Sequence, residues 1–479
     1  MNVGLSRPAA LAARLAAIES SAALDLFTTK RVVCRLDPDL SENTLAHQAL
    51  LLAANQTLRF CPRVSFELGT AAAMLEPAIR ELAASIHEEP AIAFGADEGA
   101  DVTLNVGREL PGQPDWISIN GHGWLARIAN SAADAQVAAL PPGFEGRNGI
   151  GGLAAACLGA GQVFSVLIGT PLPAGPVEFS AWTLQQGEPG QLDEGPEVAF
   201  SEIDLDALLV GCGAVANGWI YAAREAGSRG RLEAVDNQAQ RAENIGPYVC
   251  ATRARIGDPK VRTVKQELEP WTKVIERPER FRFFRARIGY GQTYIPEVVL
   301  TALDNAPTRR DGQRLWAHTT IDLAAEELTA QVIVKKLDDD GQCLLEAYTD
   351  PGEDEAELEA LAAETGLKVE RLRAFETPIT ENDVAAAPPA KRASLERARQ
   401  RGQLVCGRVG DLDLHEEEYT DQFTPAVPFV TCFTGIVAYA QTVRARLDGV
   451  ESFHFQFSFR SYRSRVLHLR RRKGCECSR

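Results

Sequence analysis

The sequence has ten cysteines but none of the paired spacings that mark a disulfide framework or a zinc ribbon, which argues against a disulfide-stapled secreted scaffold. Cys475 and Cys477 form a terminal C-x-C, and no second half-site for a metal is legible elsewhere. No uninterrupted apolar run approaches the roughly 20 residues that span a bilayer, so no membrane partner is expected. The opening MNVGLSRPAALAARLAAIESSAALDLF is alanine-rich, and Glu19 and Asp25 break the charged-then-apolar layout of a secretory leader. The expected location is therefore the cytoplasm. A positive balance is also missing: 50 Lys and Arg stand against 65 Asp and Glu, a net charge of -15. Broad nucleic-acid binding depends on neutralising phosphates and is not expected. The basic residues are uneven, however. The end reads FRSYRSRVLHLRRRKGCECSR, either a docking patch for an acidic partner or a solvated edge strand with its tail.

What the sequence does contain is 45% hydrophobic and 24% charged residues over 479 positions, enough for two or three domains with cores of their own. To about residue 195 strand-like and helix-like runs alternate: RVVCRL, TLAHQALLLAANQTL, RVSFEL, TAAAMLEPAIRELAASI, then AIAFGA, VTLNVG and WISING. Such alternation predicts a mainly parallel sheet with helices on both faces. GRNGIGGLAAACLGAGQVFSVLIG reads as a helix with small residues on one face, and the Pro/Gly-rich stretch 171–196 as a domain boundary. A second α/β unit opens at ALLVGCGAVANGWIYAAREAG and closes with FTPAVPFVTCFTGIVAYAQTVRARL. No short-period repeat is present, but two similar α/β halves in tandem fit the pattern.

The best-defined local signal lies in that second unit. A β-type run enters Gly211-Cys212-Gly213, Ala216 takes the third small position, and a helix follows. Gly211 permits a tight turn, Gly213 admits a phosphate to the backbone, and the helix start supplies N–H groups and the positive end of its dipole. Asp236 then stands at the tip of the next strand, where a carboxylate can take ribose hydroxyls. The same turn also occurs in ligand-free Rossmann-like sheets and in nicotinamide-dependent oxidoreductases. Downstream residues discriminate. Asn244 follows Asp236 by eight residues, Lys260 in RIGDPKV follows Asn244 by sixteen, and VLTALDNAPTRR supplies Asp304, Asn305 and Arg309.

In that order and spacing the chain resembles the ubiquitin-activating-enzyme superfamily, which includes ThiF, MoeB and HesA-type adenylyltransferases. The resemblance is strongest over residues 200–320 and returns in VPFVTCFTGIVAYAQTVRARL. It implies two tandem Rossmann-like adenylation-type domains in an intramolecular pseudo-dimer. Residues 1–195 would be a degenerate, inactive copy, because no intact glycine loop or D-N-x-x-x-R motif occurs there. Residues 196–340 would form the nucleotide part of the active copy, 341–415 a crossover and catalytic-cysteine insertion, and 416–479 the closing helix and last strands. It further implies ATP and Mg²⁺ as cofactors, the ion on Asp304. Lys260, Asn244, Asn305 and Arg309 would serve the nucleotide with Gly211, Gly213 and Asp236. Attack of a carboxylate on the α-phosphate concentrates negative charge, which is the chemistry that needs a lysine and a metal.

One position departs from the pattern. The family has an arginine three residues after the Asn, and Pro247 stands here. Arg253, Arg255 or an arginine of the N-terminal helix (Arg7 or Arg14) are the candidate replacements. The resemblance implies partners too: a ubiquitin-like protein ending in glycine, and a conjugating enzyme that receives it as a thioester, as in bacterial antiphage conjugation operons. Two cysteines fall in the crossover. Cys343, in QVIVKKLDDDGQCLLEAY, reads as a structural hairpin residue. Cys406, after the basic stretch with Lys391, Arg392, Arg397, Arg399 and Arg401, has the positive surroundings that favour a thiolate nucleophile. Alternatives are adenylation for sulfur transfer or peptide modification without a thioester, an NAD-dependent oxidoreductase, and a non-enzymatic scaffold.

Overall fold

Short β-branched runs bounded by Gly, Pro and Asp become strands, and the small-residue and alanine-rich runs between them become helices. The computed structural model describes residues 5–16, 18–97, 99–108, 115–132, 140–173, 175–289, 294–348, 359, 362–363, 365–373, 378–400, 427–447, 449–472 and 475. It divides into one unit of residues 1–347 with 425–479 and a second of residues 348–424.

The larger unit is α/β and carries two sheets, each of eight strands. The first comprises β1 (Val32–Leu36), β2 (Arg63–Glu67), β3 (Ala91–Phe94), β4 (Val102–Val106), β5 (Trp116–His122), β6 (Leu125–Asn130), β7 (Val177–Ser180) and β8 (Gln186–Gly187). The second comprises β9 (Asp204–Val210), β10 (Arg229–Val235), β11 (Thr272–Arg277), β12 (Val298–Thr301), β13 (Thr319–Glu326), β14 (Thr329–Lys336), β15 (Phe453–Ser458) and β16 (Arg463–Leu467). Their orders, β3-β2-β1-β4-β5-β6-β7-β8 and β11-β10-β9-β12-β13-β14-β15-β16, are the same arrangement twice. In both, the first five strands run parallel and the remainder antiparallel. The Pro/Gly-rich stretch 171–196 contains β7 and β8, the last strands of the first sheet, and ends before β9 opens the second: VEFS has enough β character to pair, and its prolines lie outside the ladder.

Two buried helices join the sheets. Ile150–Leu167 packs on the first sheet, Pro428–Leu447 on the second, and the two helices pack on each other. Ile150–Leu167 is the one described helix long and apolar enough to cross a membrane, and 89% of it is buried inside the fold. Phe60 and Phe164 of the first half meet Phe429 of the second with ring centroids 6.1 and 5.4 Å apart, and Phe27 packs on Phe60 and Phe164 behind them. Pro428–Leu447 also crosses helix Ala214–Glu225 backbone to backbone. A Cβ on Gly435 would stand 2.2 Å from the Trp219 amide nitrogen, and one on Gly218 would stand 2.4 Å from the Cys432 carbonyl oxygen. The glycines set that separation.

The smaller unit, among its described residues, has helices Val369–Arg373, Glu381–Ala386 and Pro389–Gln400 around a core of Leu367, Leu372, Ile379, Ala387, Leu395 and Ala398. Arg371 pairs with Asp383 at 2.8 Å, and Asp383 completes a capping box with Thr380. The charged run 350–366 falls mostly outside the described residues, as does Cys406 entirely.

Candidate nucleotide site

In the second sheet the chain leaves β9 and turns at Gly211, whose φ of +86° is left-handed. A Cβ there would also lie 2.5 Å from the Ala302 carbonyl oxygen, so the turn needs glycine twice over. Gly213 is the N-cap of helix Ala214–Glu225, and its open α-carbon faces the Tyr248 hydroxyl: an added Cβ would be 3.7 Å away. Asn217, one turn into the helix, donates to the carbonyls of Gly213 at 2.8 Å and Cys212 at 3.3 Å. Its Oδ1 accepts from the Cys250 amide at 3.3 Å.

The carboxyl end of β10 delivers Asp236 to this turn. Its two oxygens accept from the amides of Cys212 and Gln238, both at 2.8 Å. A carboxylate has about four acceptor positions, so capacity remains for hydroxyl donors. The segment 237–259 then loops out and returns to helix Lys260–Leu268, which begins with Lys260. That lysine is 7% exposed. Its ammonium donates to Gln238 Oε1 at 2.6 Å and to the Tyr248 hydroxyl at 3.2 Å. Burial opposes its charge, but Tyr248, Asp236 and Asp304 outweigh burial and raise its pKa above the ordinary lysine value.

Asp304 and Asn305 follow β12 and are exposed. Asn305 caps helix Ala306–Gln313, its Oδ1 accepting from the Thr308 amide at 3.0 Å. The sheet order changes direction between β9 and β12, the place where ligands sit in open parallel sheets. Gly211, Gly213, Asp236 and Asp304 therefore follow the carboxyl ends of neighbouring parallel strands, and Lys260 joins that edge through Gln238.

The other expected residues take different positions. Asn244 is buried, and its Oδ1 accepts from the Arg241 amide at 2.8 Å, shaping the loop that carries Tyr248. Arg309 is turned into the fold, where it donates to Asp322 at 2.6 Å and to the Leu323 carbonyl at 3.3 Å. At Pro247, the carbonyl accepts from the Thr431 hydroxyl of the closing helix at 2.9 Å. Arg255 pairs with Glu267, Arg253 lies 3.5 Å from Glu88, and Arg14 pairs with Glu327 at 2.6 Å. Arg7 lies in helix Ser6–Ala16. Sequence reasoning missed Asn217, Gln238 and Tyr248. Asn217 had a signal, a lone amide in the first turn of a helix of small and apolar residues; Gln238 and Tyr248 had none.

Two cysteine readings change. Cys343 is not in a hairpin strand: β14 ends at Lys336, and Cys343 immediately precedes helix Leu344–Ala347. There the backbone turns away from the sheet, with Gly341 bridging to Arg470. The missing partner of the terminal C-x-C is Cys343 itself, whose sulfur lies 3.5 Å from that of Cys475. With Glu346 they place three potential ligand atoms within 4.8 Å of one another. Cys212 is buried in the glycine turn, and burial pushes its thiol pKa well above the ordinary value, so it stays a thiol.

No family model matches the chain. An uncharacterized protein of Sinorhizobium fredii, y4jF, is 27% identical over 348 residues, covering 71% of this chain. The match spans 64% of that relative's length. Among solved structures, E. coli MccB with ATP is similar at 11% identity and a TM-score of 0.36, over 59% of this chain and 68% of that one. The microcin C7 biosynthetic enzyme MccB with N-formylated MccA gives 11%, 0.37, 58% and 68% in the same order. PaaA gives 11%, 0.36, 57% and 66%. At TM-scores this low the likenesses carry no functional weight.

Proposed function

We propose that the second half adenylates the C-terminal carboxylate of a protein or peptide with ATP. The observation that carries this reading is the buried Lys260 ammonium, which donates to Gln238 and Tyr248 within the field of Asp236 and Asp304, beside a glycine-turned helix start. A cation fixed in a desolvated cradle, with amides aimed outward and two carboxylates at strand tips, suits a polyphosphate attached to a ribose. The helix amides after Gly213 receive phosphate oxygens, and Asp236 receives ribose hydroxyls. Asp304 is an exposed strand-end carboxylate next to that cation, which fits a hard, oxygen-seeking Mg²⁺. Such an ion would neutralise charge on the phosphates. As the substrate carboxylate attacks the α-phosphate and pyrophosphate leaves, Lys260 stabilises the charge that gathers there.

The finer reading follows the family resemblance. The cargo is a ubiquitin-like protein ending in glycine, Cys406 attacks the acyl adenylate to form a thioester and release AMP, and a conjugating enzyme accepts the acyl group. The setting is cytoplasmic conjugation of the antiphage kind. A second reading, adenylation with no thioester, is favoured by one observation: Cys343, the other crossover cysteine, is fully buried against Cys475.

The test is ATP–pyrophosphate exchange with candidate cargo, run beside a non-reducing gel of wild type, Asp304→Ala and Cys406→Ala. Exchange that disappears in Asp304→Ala supports adenylation. A thiol-sensitive band lost in both variants supports the thioester. Exchange without a band in wild type selects the second reading, and no nucleotide binding at all defeats both.

A further inference from the structure

The first half carries none of the nucleotide residues, yet one of its side chains reaches the nucleotide loop. Helix Thr44–Leu58 ends at Arg59, which is 2% exposed and lies among the backbone carbonyls of residues 245–251. Its guanidinium donates to Ile245, to Val249 at 2.7 Å and to Ala251 at 3.1 Å. Asn55, one turn earlier, accepts from Arg59 Nε at 2.7 Å and donates to Val249 at 3.1 Å. Those carbonyls bracket Tyr248, the residue whose hydroxyl meets Lys260. Burial draws the Arg59 pKa down to about 10, which leaves it charged at neutral pH.

Planar guanidinium binding to three carbonyls fixes a loop more tightly than an ammonium could, because the fork sets directions as well as distance. A buried cation has a second property: its desolvation is compensated only while those carbonyls stay where they are. We propose that Arg59, oriented by Asn55, is a positioning residue for nucleotide binding, clamping residues 245–251 so that Tyr248 and Lys260 keep their mutual geometry. The degenerate half is then the frame against which the ATP loop is held. This rests on the ATP reading above.

The experiment uses the full chain as wild type, Arg59→Lys, Asn55→Ala and the exposed control Arg80→Ala. ATP affinity is measured by calorimetry, and amide hydrogen exchange is followed with and without ATP. Arg59→Lys keeps a charge but loses the fork, so ATP binding weakens about tenfold, equivalent to about 1.4 kcal/mol. Exchange rises in 245–251, the strands β9, β10 and β12 keep their protection, and saturating ATP restores protection to that loop alone. Asn55→Ala shifts both readouts the same way by less, and Arg80→Ala shifts neither. Equal ATP affinity and unchanged loop exchange in Arg59→Lys overturn the clamp. So does a uniform loosening of the sheet, which marks a plain core residue. If wild type binds no ATP, the functional reading fails and loop exchange alone decides: selective loosening of 245–251 upholds the clamp, and its absence ends it.

Discussion

The two halves share a strand order and differ in what the chain does between strands. Where the second half turns at Gly211–Gly213, the first runs through Asp37, Asp39 and Glu42. The first-half helix begins under Asn43, whose side chain accepts from the Ala46 amide at 3.0 Å. Among the described residues, the second-half helix has no side-chain cap, so its amides face outward. The next connection differs more. Only Gly69–Ala71, with one preceding residue, separates β2 from helix Ala72–Ile86, whereas 236–259 separates β10 from helix Lys260–Leu268. Leu36 and Val210 occupy the same place beside Val106 and Thr301. Counting through Arg35↔Glu67 and Leu209↔Ala234, Gly69 then stands where Asp236 stands. The sheet is shared, and the difference lies in the side chains of one turn and the length of one loop at its carboxyl edge.

The sharpest way to break the comparison is to remove a buried, ion-paired guanidinium from each half. Arg127 pairs with Glu178 at 2.5 Å in the first half, as Arg309 pairs with Asp322 at 2.6 Å in the second. Arg127→Ala and Arg309→Ala each strand a fully buried carboxylate and are expected to cost about 3–5 kcal/mol in chemical denaturation. Similar losses from both would show that the halves are equal as structure. Lys260→Ala separates them as chemistry: exchange activity falls by about 10²–10³ in steady-state assays while unfolding shifts far less.

Next comes the turn. Gly211→Ala puts a side chain at a positive φ and against the Ala302 carbonyl, and is expected to cost about 1–3 kcal/mol together with most ATP affinity. Gly69→Ala also meets a positive φ but no atom within 4 Å, so it costs less and leaves ATP affinity alone.

The smallest effect is a pH one. Burial, the largest influence, holds the His87 pKa below 6.5, with Arg59 and Arg253 adding to that while its bond to the Leu58 carbonyl opposes it. An unfolded histidine binds its proton at higher pH than this folded one, so its stabilising contribution is present above about pH 6.5 and is lost as pH falls through the folded value. Denaturation midpoints followed from pH 7.5 to 5 should show a component that His87→Gln removes.

Much of this was legible in the sequence, for identifiable reasons. β-type runs such as VVCRL and the glycine turn state their structure locally, and so did the helix 44–58. The two-half arrangement fitted the alternation along the chain and was implied by the family resemblance. Tyr248 and Arg59 were not legible, because their roles depend on contacts 12 and 186 residues apart in sequence. Arg309 matched a motif, but its orientation depends on Asp322 on the next strand, which the motif does not include. The Cys343–Cys475 approach spans 132 residues, and spacing alone has no reach over that distance. Cys406 lies outside the described residues, and its role is tested by the gel.

The aromatic junction also orders events in time. Phe429 sits on Phe60 and Phe164 from a helix that follows the whole 348–424 insertion. During synthesis at about 5–20 residues per second, the first sheet is complete long before that helix emerges. Until it does, Phe60 and Phe164 have no Phe429 to cover them, and helix Ala214–Glu225 lacks the partner that Gly435 lets approach. The nascent chain therefore carries an exposed apolar seam for roughly 10–50 seconds at that rate, a window in which a chaperone that recognises such surfaces has its substrate.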